Sequence, residues 1–221
     1  MANIAVICEG VSEFNILNHI VSRYNPNHYL NAVQPKISQK QTQTANGGWS
    51  RVLEHCTDKD FEDIFLLNDY LIIQIDTDSS HIYPYSVAHC HPDGTLKSHG
   101  RLHIEIKARL MEKITHGVRK KYLHRVLFAI CHNEIECWLL PLYYNDKREC
   151  GTNNCIYLLN RELSKRDIPT IPDKDKNSPN ARKAYKTILK NIRKKADVVR
   201  CAGKSWGFGA FVAGLDIIEN Q

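Results

Sequence analysis

Residues 4–20, IAVICEGVSEFNILNHI, change from a strand pattern to a helix pattern around Glu9 and Gly10. The first five residues form an apolar run that is typical of a strand buried on both faces. Phe14 and Leu17 then begin an apolar series at helical spacing. The segment therefore predicts a strand followed by a helix. Because open α/β sheets bind ligands beyond the carboxyl ends of their strands, Glu9 is a candidate functional residue.

Later segments repeat this alternation and predict an α/β fold with a mainly parallel sheet flanked by helices. Strands are expected at residues 31–39, 70–78 and 124–133. Helices or helical turns are expected at residues 49–57, 101–114, 134–144 and 207–218. Turn-forming residues predict loops at residues 41–49, 79–100 and 164–180. We expect one main domain, in which residues 146–221 form a basic helical extension packed on a core of residues 1–145.

The composition is typical of a cytoplasmic protein with one sizeable core. The chain has 221 residues, of which 43% are hydrophobic. Its start lacks the positive region of a signal peptide, and no apolar run approaches the roughly 20 residues of a membrane span. The eight cysteines are scattered without a C-x-x-C pair. We therefore expect mostly free thiols in a reducing cytoplasm.

Much of the net charge of +6 is concentrated in residues 181–200, ARKAYKTILKNIRKKADVVR. This segment predicts one helix with a basic face opposite an apolar stripe. The stripe consists of Ala184, Ile188, Ile192 and Val199. A basic face suits a polyanion, because each phosphate that it neutralises releases counterions. The residues predicted to bind nucleic acid are Lys186, Lys190, Arg193 and Lys194, and the alternative is an ordinary solvated face.

Carboxylates occur at the ends of three predicted strands. Glu9 follows the first strand, and Asp76 and Asp78 end the third. Glu134 and Glu136 follow the fourth strand. Parallel strands would gather these groups at one edge of the sheet, and alternation predicts that Asp76 and Asp78 point to the same side. Clustered carboxylates repel each other unless one is protonated or a divalent cation lies between them. An all-carboxylate site favours Mg²⁺ or Mn²⁺ over zinc.

Three short motifs, VICEGVSE, LIIQIDTD and NEIECWLL, occur in this order at the strand ends. The first two resemble the Toprim domain, the metal-binding fold shared by topoisomerases, DnaG-type primases and OLD-family nucleases. The third is similar to a motif of small bacterial Toprim-like proteins of the RloB type, which are often associated with phage defence. The resemblance covers roughly residues 4–140. No glycine appears in the segment DTDSSH, which disfavours a topoisomerase or a primase.

The resemblance implies a role for each matching acidic residue. Glu9 matches the Toprim glutamate, which is a metal ligand or a general acid/base. Asp76 and Asp78 match the metal-binding pair. Glu13 matches the second acid of nuclease-type Toprim proteins. Glu136 matches the acid of an Ile-Glu-x-Trp-like motif and would complete the metal site.

Several candidate residues have both a functional and a structural interpretation. Lys204 would approach a phosphate, as a late lysine is proposed to do in some Toprim nucleases, or it is an ordinary surface lysine. Glu9 and Glu13 would instead cap or complement a helix N-terminus, and the two aspartates would form a turn. A histidine-rich span offers zinc ligands or phosphate contacts. It contains His81, His89, Cys90, His91, His99 and His103.

These predictions favour a cytoplasmic nuclease that hydrolyses DNA or RNA with Mg²⁺ or Mn²⁺ and takes part in anti-phage defence. The expected partners are a nucleic acid, a partner ATPase of a defence system and a second copy of the chain. The alternative is a non-catalytic Toprim-like module that binds nucleic acid or a partner ATPase as a sensor or scaffold. No G-x-x-x-x-G-K-[ST] phosphate loop occurs in the sequence, which argues against an intrinsic P-loop ATPase.

Overall fold

A four-stranded sheet forms the centre of the protein in the computed structural model, which describes residues 1–38, 47–172 and 175–219. The strands are β1 (Ala2–Ile7), β2 (His28–Gln34), β3 (Tyr70–Asp76) and β4 (Val126–Cys131). Their order in the sheet is β2-β1-β3-β4, and every neighbouring pair is parallel. The predicted α/β fold with a parallel sheet is confirmed, and the arrangement is consistent with a Rossmann-like fold.

Helices cover both faces of this sheet. The α-helices are α1 (Val11–Tyr24), α2 (Trp49–Cys56), α3 (Ile64–Leu67), α4 (His99–Lys113), α5 (His116–Tyr122), α6 (Cys155–Ser164), α7 (Pro179–Leu189), α8 (Lys195–Ala202) and α9 (Trp206–Glu219). Short 3₁₀ helices occur at Phe61–Asp63, Leu123–Arg125, Ile135–Leu142 and Lys147–Cys150. One apolar layer contains residues of α1 and α6–α9, and the other contains residues of α2, α3 and α4.

Strand β1 contributes side chains to both apolar layers. Successive side chains of a strand point to opposite faces of the sheet. Ile4 and Val6 accordingly belong to the layer of α1, whereas Ala5 and Ile7 belong to the layer of α2 and α4. All four are fully buried. This two-sided burial explains why the strand is a continuous apolar run rather than an alternating one.

The order of the strands reverses at β1. The chain passes from β1 through α1 to β2 on one side, and returns through α2 and α3 to β3 on the other side. The connections from β1 to β2 and from β2 to β3 therefore cover opposite faces of the sheet. A crevice is expected beyond the carboxyl ends of β1 and β3, where ligands of open α/β sheets bind. Glu9 and Asp76 lie at these two ends.

The basic segment consists of two helices, so the prediction of one helix over residues 181–200 is wrong. Helix α7 ends at Leu189, and α8 begins at Lys195. The break changes which side chains face the core after it. Val198 is buried, whereas Val199, which was placed in the apolar stripe, is 48% exposed. The other three residues of the predicted stripe are buried.

Other predicted boundaries are close to the observed ones. Strand β2 begins three residues before the predicted start and ends at Gln34, because the following Pro35 has no N–H group for the sheet. Residues 134–144, predicted as a short helix or helical turn, form a 3₁₀ helix over Ile135–Leu142. Residues 79–100 are the predicted loop as far as Ser98, apart from one isolated bridge between Cys90 and Leu96. Most of the predicted loop at 41–49 lies outside the described residues.

The C-terminal helices share a core with the sheet. Helix α9 lies so close to β4 that a Cβ atom on Gly207 would be 2.3 Å from the carbonyl oxygen of Ile130. Trp138 stacks on Phe208, with ring centroids 4.5 Å apart. Residues of the segment 146–221 therefore complete the apolar layer on the α1 face.

A disulfide between Cys137 and Cys155 joins the 3₁₀ helix after β4 to α6. The sequence analysis did not predict this bond, although the other six cysteines are free as expected. Within the residues that the structure describes, no helix combines the length and the apolar character needed to cross a membrane.

Candidate functional site

Glu9 joins the carboxyl ends of β1 and β3. Its Oε1 atom accepts a hydrogen bond of 2.7 Å from the backbone N–H of Asp76. Its own N–H donates to Oε1 of Gln74 at 3.1 Å. Helix α1 has Gly10 as its N-cap and no side-chain cap, so Glu9 does not cap it. The second carboxylate oxygen of Glu9 has no hydrogen-bond partner among the described residues, which leaves it available to a ligand.

Asp76 is the buried last residue of β3. Its Oδ1 atom accepts a hydrogen bond of 2.8 Å from Nε2 of Gln74. Gln74 is fully buried in an otherwise apolar strand and bonds to both Glu9 and Asp76. It therefore fixes the two carboxyl-bearing residues relative to each other. The sequence analysis overlooked Gln74, although a glutamine inside LIIQID is a visible polar interruption.

Asp78 lies in a turn beyond the end of β3 and is exposed. Its Oδ1 atom accepts a hydrogen bond of 2.6 Å from the backbone N–H of Ser79. Because β3 ends at Asp76, the alternation of side chains along a strand does not extend to Asp78. This alternation therefore gives no reason for the side chains of Asp76 and Asp78 to point to the same side. Asp78 forms a turn, as the structural alternative predicted, while its charge still acts on Glu9.

Glu136 is fully buried in the 3₁₀ helix that follows β4. The Tyr185 hydroxyl of α7 donates a hydrogen bond to Oε1 of Glu136. The Lys176 ammonium lies 3.0 Å from Oε2 of Glu136 and 3.4 Å from Oε2 of Glu134. Glu134 also accepts a hydrogen bond of 3.2 Å from the backbone N–H of Ile156. Glu136 is therefore not a solvated surface residue.

Glu13 is a buried residue in the first turn of α1. Its Oε2 atom accepts a hydrogen bond of 2.9 Å from the Ser12 hydroxyl. Burial and then the negative charge of Glu136 raise the pKa of Glu13 above its ordinary value. Glu13 thus interacts electrostatically with the group at the end of β4, in addition to lying near a helix N-terminus.

Four carboxyl groups near Lys176, those of Glu9, Glu13, Asp76 and Glu134, have raised pKa values and so bind protons more tightly than isolated groups do. Burial, and then repulsion from Glu13 and Asp78, raise the pKa of Glu9 to about 8. Burial, and then the charge of Glu9, raise the pKa of Asp76 well above its ordinary value. Burial alone would lower the pKa of Lys176, but the surrounding carboxylates outweigh it and raise that pKa. Here we define the acidic cluster as Glu9, Glu13, Asp76, Glu134 and Glu136.

The chemistry of the acidic cluster fits a hard divalent cation. It offers only carboxylate oxygens, which Mg²⁺ and Mn²⁺ prefer. It also contains more acidic groups than the one lysine can neutralise, and the raised pKa values express this excess. No three described residues of the acidic cluster have carboxylate oxygens that all lie within 4.8 Å of one another, so a cation would have to draw side chains together. Glu9, Asp76 and Glu136 are the residues that would hold it.

A second group of potential ligands consists of Glu134, Cys137 and Cys155, whose ligand atoms lie within 4.8 Å of one another. The two sulfur atoms are joined in a disulfide. Metals bind cysteine as the thiolate, so this group does not suit a metal while the bond is intact. No described histidine belongs to a ligand group of this kind. His99 instead stacks on His132, with ring centroids 4.4 Å apart.

Lys176 and Tyr185 are two further residues of the candidate site that the sequence analysis did not single out. Lys176 lies in the segment predicted as a loop, and nothing in its local pattern separates it from neighbouring lysines. Lys204 was the lysine predicted to act at the site. It is 42% exposed and forms an ion pair of 2.7 Å with Glu149. Its role at a phosphate stays a prediction, whereas Lys176 contacts the acidic cluster.

The four residues predicted to bind nucleic acid are all exposed. Lys186 and Lys190 line a groove between α1 and α7. Arg193 and Lys194 lie in the break before α8, where the side chain of Arg193 is 3.8 Å from Asp197. The structure therefore separates the four residues into two pairs with different surroundings.

No protein-family model matches the chain, and neither a curated protein nor a solved structure matches it. The function is therefore inferred from the geometry and chemistry of the site.

Proposed function

We propose that this protein is a nuclease that uses Mg²⁺ or Mn²⁺ to hydrolyse phosphodiester bonds of DNA or RNA. The observation that carries the proposal is the gathering of carboxyl groups from three strand ends near one lysine, with Asp76 and Glu136 buried and Glu9 partly buried. Glu9 follows β1, Asp76 ends β3 and Glu136 follows β4. Keeping so many acidic groups ionised at this place is costly unless a cation binds there, and without one several of them retain a proton at neutral pH. The site also lies at the switch point of the sheet, where α/β proteins bind ligands.

A divalent cation, when bound, would polarise the scissile phosphate and lower the pKa of a water molecule. Glu9 is the residue suited to moving protons. Without a cation, burial raises the pKa of Glu9 to about 8; a bound divalent cation would lower it, so that Glu9 could be ionised and accept a proton near neutral pH. Its free Oε2 atom would take a proton from the attacking water and return one to the leaving oxygen. Gln74 would hold Glu9 in position by accepting a hydrogen bond from its backbone N–H.

The same proposal includes a Toprim-like relationship. It is supported by the order of the three motifs and by the parallel sheet that brings Glu9 and Asp76 to neighbouring strand ends. The association of the RloB type with phage defence extends the proposal to a defence role in the cytoplasm. The proposed defence role also includes binding to a partner ATPase and self-association of the chain.

Cleavage assays test the nuclease proposal. Wild type, Glu9→Gln and Asp76→Asn are incubated with single- and double-stranded DNA, structured RNA and tRNA, each with Mg²⁺ or Mn²⁺. We expect Glu9→Gln to reduce cleavage by at least about 10²-fold, as expected for the loss of general acid/base catalysis. Calorimetric titration should show that Asp76→Asn, which removes a proposed ligand, no longer binds Mn²⁺. Glu54→Gln makes the same change as Glu9→Gln at a side chain that is 63% exposed, and serves as the control.

Equal cleavage by wild type and Glu9→Gln would contradict the role of Glu9. Unchanged Mn²⁺ affinity in folded Asp76→Asn would remove Asp76 from the ligand set. If wild type cleaves no substrate even with its partner present, the non-catalytic binding module becomes the better explanation.

A further inference from the structure

The groove between α1 and α7 has a lining that suits an anion. Its volume is about 480 Å³. The cationic side chains in its wall are Lys176, Arg182, Lys186 and Lys190. Polar side chains complete the wall, namely Ser12, Asn15, Asn18, His19, Ser22 and Asn177. No carboxylate belongs to this lining in the described part of the chain.

Three of these cations have no counterion in the part of the chain that the structure describes. Arg182, Lys186 and Lys190 form no ion pair with any described residue, and all three are exposed. They follow one another at intervals of four residues on α7 and its C-cap. An α-helix rises about 1.5 Å per residue, so the cations are spaced about 6 Å apart along one face. Such a row suits an extended polyanion better than a single small anion.

The groove adjoins the acidic cluster. Three of its lining residues also contact carboxyl groups of the cluster: Ser12 donates to Glu13, Tyr185 donates to Glu136, and Lys176 forms an ion pair with Glu136. A chain of phosphates lying along α7 would therefore lead to the site at which we place hydrolysis.

The size of the groove favours one strand over two. A volume of about 480 Å³ lies in the range of about 300–1,000 Å³ typical of small-molecule sites.

Phosphate contacts alone would not select a base sequence. The aromatic side chain in the lining, Tyr185, is buried and bonded to Glu136, so it offers no exposed ring on which a base could stack.

We propose that the groove between α1 and α7 binds a single strand of nucleic acid through its phosphates and directs that strand into the acidic cluster. The choice of ligand rests on the proposed nuclease function, but binding is measured separately from cleavage. The row of cations holds the backbone, and the asparagines of α1 supply neutral donors on the opposite wall. The ligand is recognised without a fixed base sequence.

Binding of a fluorescent 20-nucleotide single strand, measured by anisotropy in EDTA at several salt concentrations, tests the proposal. The groove variant replaces Arg182, Lys186 and Lys190 by Gln. The charge-matched control replaces Lys59, Lys120 and Lys183 by Gln; these lysines are exposed and lie outside the groove. Each phosphate contact contributes about 0.7 to the single-strand salt slope, so the groove variant should reduce the slope by about 2. The control variant should leave the slope near that of wild type.

A second variant tests the shape of the groove without a change in charge. Asn18 is an exposed residue of α1 that lines the groove, and Asn18→Trp should obstruct it. We expect this variant to weaken single-strand binding while its helical circular dichroism and melting temperature stay those of wild type. A duplex of the same sequence should bind more weakly than the single strand, and its binding should be less sensitive to Asn18→Trp.

Equal loss of binding in the groove and control variants would overturn the proposal, because only total charge would then matter. Tighter binding of the duplex would overturn the assignment to one strand. If the groove variant alone loses single-strand binding but wild type cleaves nothing, the binding site stands and the nuclease proposal fails. If wild type cleaves a substrate and the groove variant binds normally, the nuclease stands and this site fails.

Discussion

Replacing Glu9 by Gln should make the stability of the metal-free protein less dependent on pH. The pKa of Glu9 is about 8 in the folded protein, mainly because of burial, against about 4.5 for an ordinary glutamate. Below pH 4.5 the group is protonated in both the folded and the unfolded chain. Between pH 4.5 and 8 the unfolded chain loses this proton while the folded chain keeps it. Stability therefore falls as the pH rises through this window.

The size of the effect follows from the width of that window. Each pH unit corresponds to at most about 1.4 kcal/mol for one group. Between pH 5 and pH 7.5, Glu9 should therefore lower the free energy of unfolding by up to about 3 kcal/mol. Glu9→Gln removes this loss. It should also ease the titration of Asp76 and Cys8, because the charge of Glu9 raises the pKa of both groups.

Urea denaturation in EDTA at half-unit steps from pH 5 to pH 8 measures the effect. The free energy of unfolding of wild type should fall more steeply with pH than that of Glu9→Gln. Glu54→Gln, which removes a charge at an exposed position, should follow the wild-type curve. Parallel curves for wild type and Glu9→Gln would refute the electrostatic description of the site. Adding Mn²⁺ should restore stability to wild type at pH 7.5, since a ligand that binds only the folded state stabilises it.

Two further predictions concern Lys176 and Gly207. Lys176→Met should steepen the loss of stability with rising pH, because Lys176 lowers the pKa of Glu9 and of Asp76. Denaturation in EDTA should show that the free energy of unfolding falls by about 3 kcal/mol near pH 8 and by less at pH 5. Equal losses at the two pH values would contradict the role of Lys176 as counterion. Gly207→Ala should destabilise the protein by about 1–3 kcal/mol in thermal melts, because the added Cβ would meet the Ile130 carbonyl at 2.3 Å, whereas Gly117→Ala, with no atom within 4 Å, should have little effect.

The sequence predicted the parts of the site that local patterns determine. Glu9 follows a continuous apolar run, and Asp76 ends an apolar run that only Gln74 interrupts; such runs become parallel strands with a common carboxyl edge. Strand alternation could not place the side chain of Asp78, because β3 ends at Asp76; its role as a metal ligand stays a prediction, and its charge acts on Glu9. The break between α7 and α8 was missed because apolar spacing remains nearly helical through Ile192, which is buried in the segment between the helices.

Local sequence patterns could not predict the contacts between segments that are distant in the chain. Lys176 follows Glu136 by 40 residues and reaches the acidic cluster from the segment just before α7, a helix that packs on α1 and bonds to Glu136 through Tyr185. The disulfide between Cys137 and Cys155 likewise joins residues 18 positions apart. Neither cysteine has a spacing that marks a bonded pair.

The ion pair with Lys176 does not by itself account for the number of acidic groups in the acidic cluster. A buried ion pair rarely stabilises a protein more than well-packed apolar side chains of the same volume would. Glu136 is nevertheless fully buried against Lys176, and Glu9 and Asp76 add acidic groups that Lys176 does not contact directly. Stability alone would favour apolar residues at these positions. The proposed divalent cation would account for the arrangement by replacing protons at these acidic groups, and the cations of α7 beside it would then hold the anion on which that cation acts.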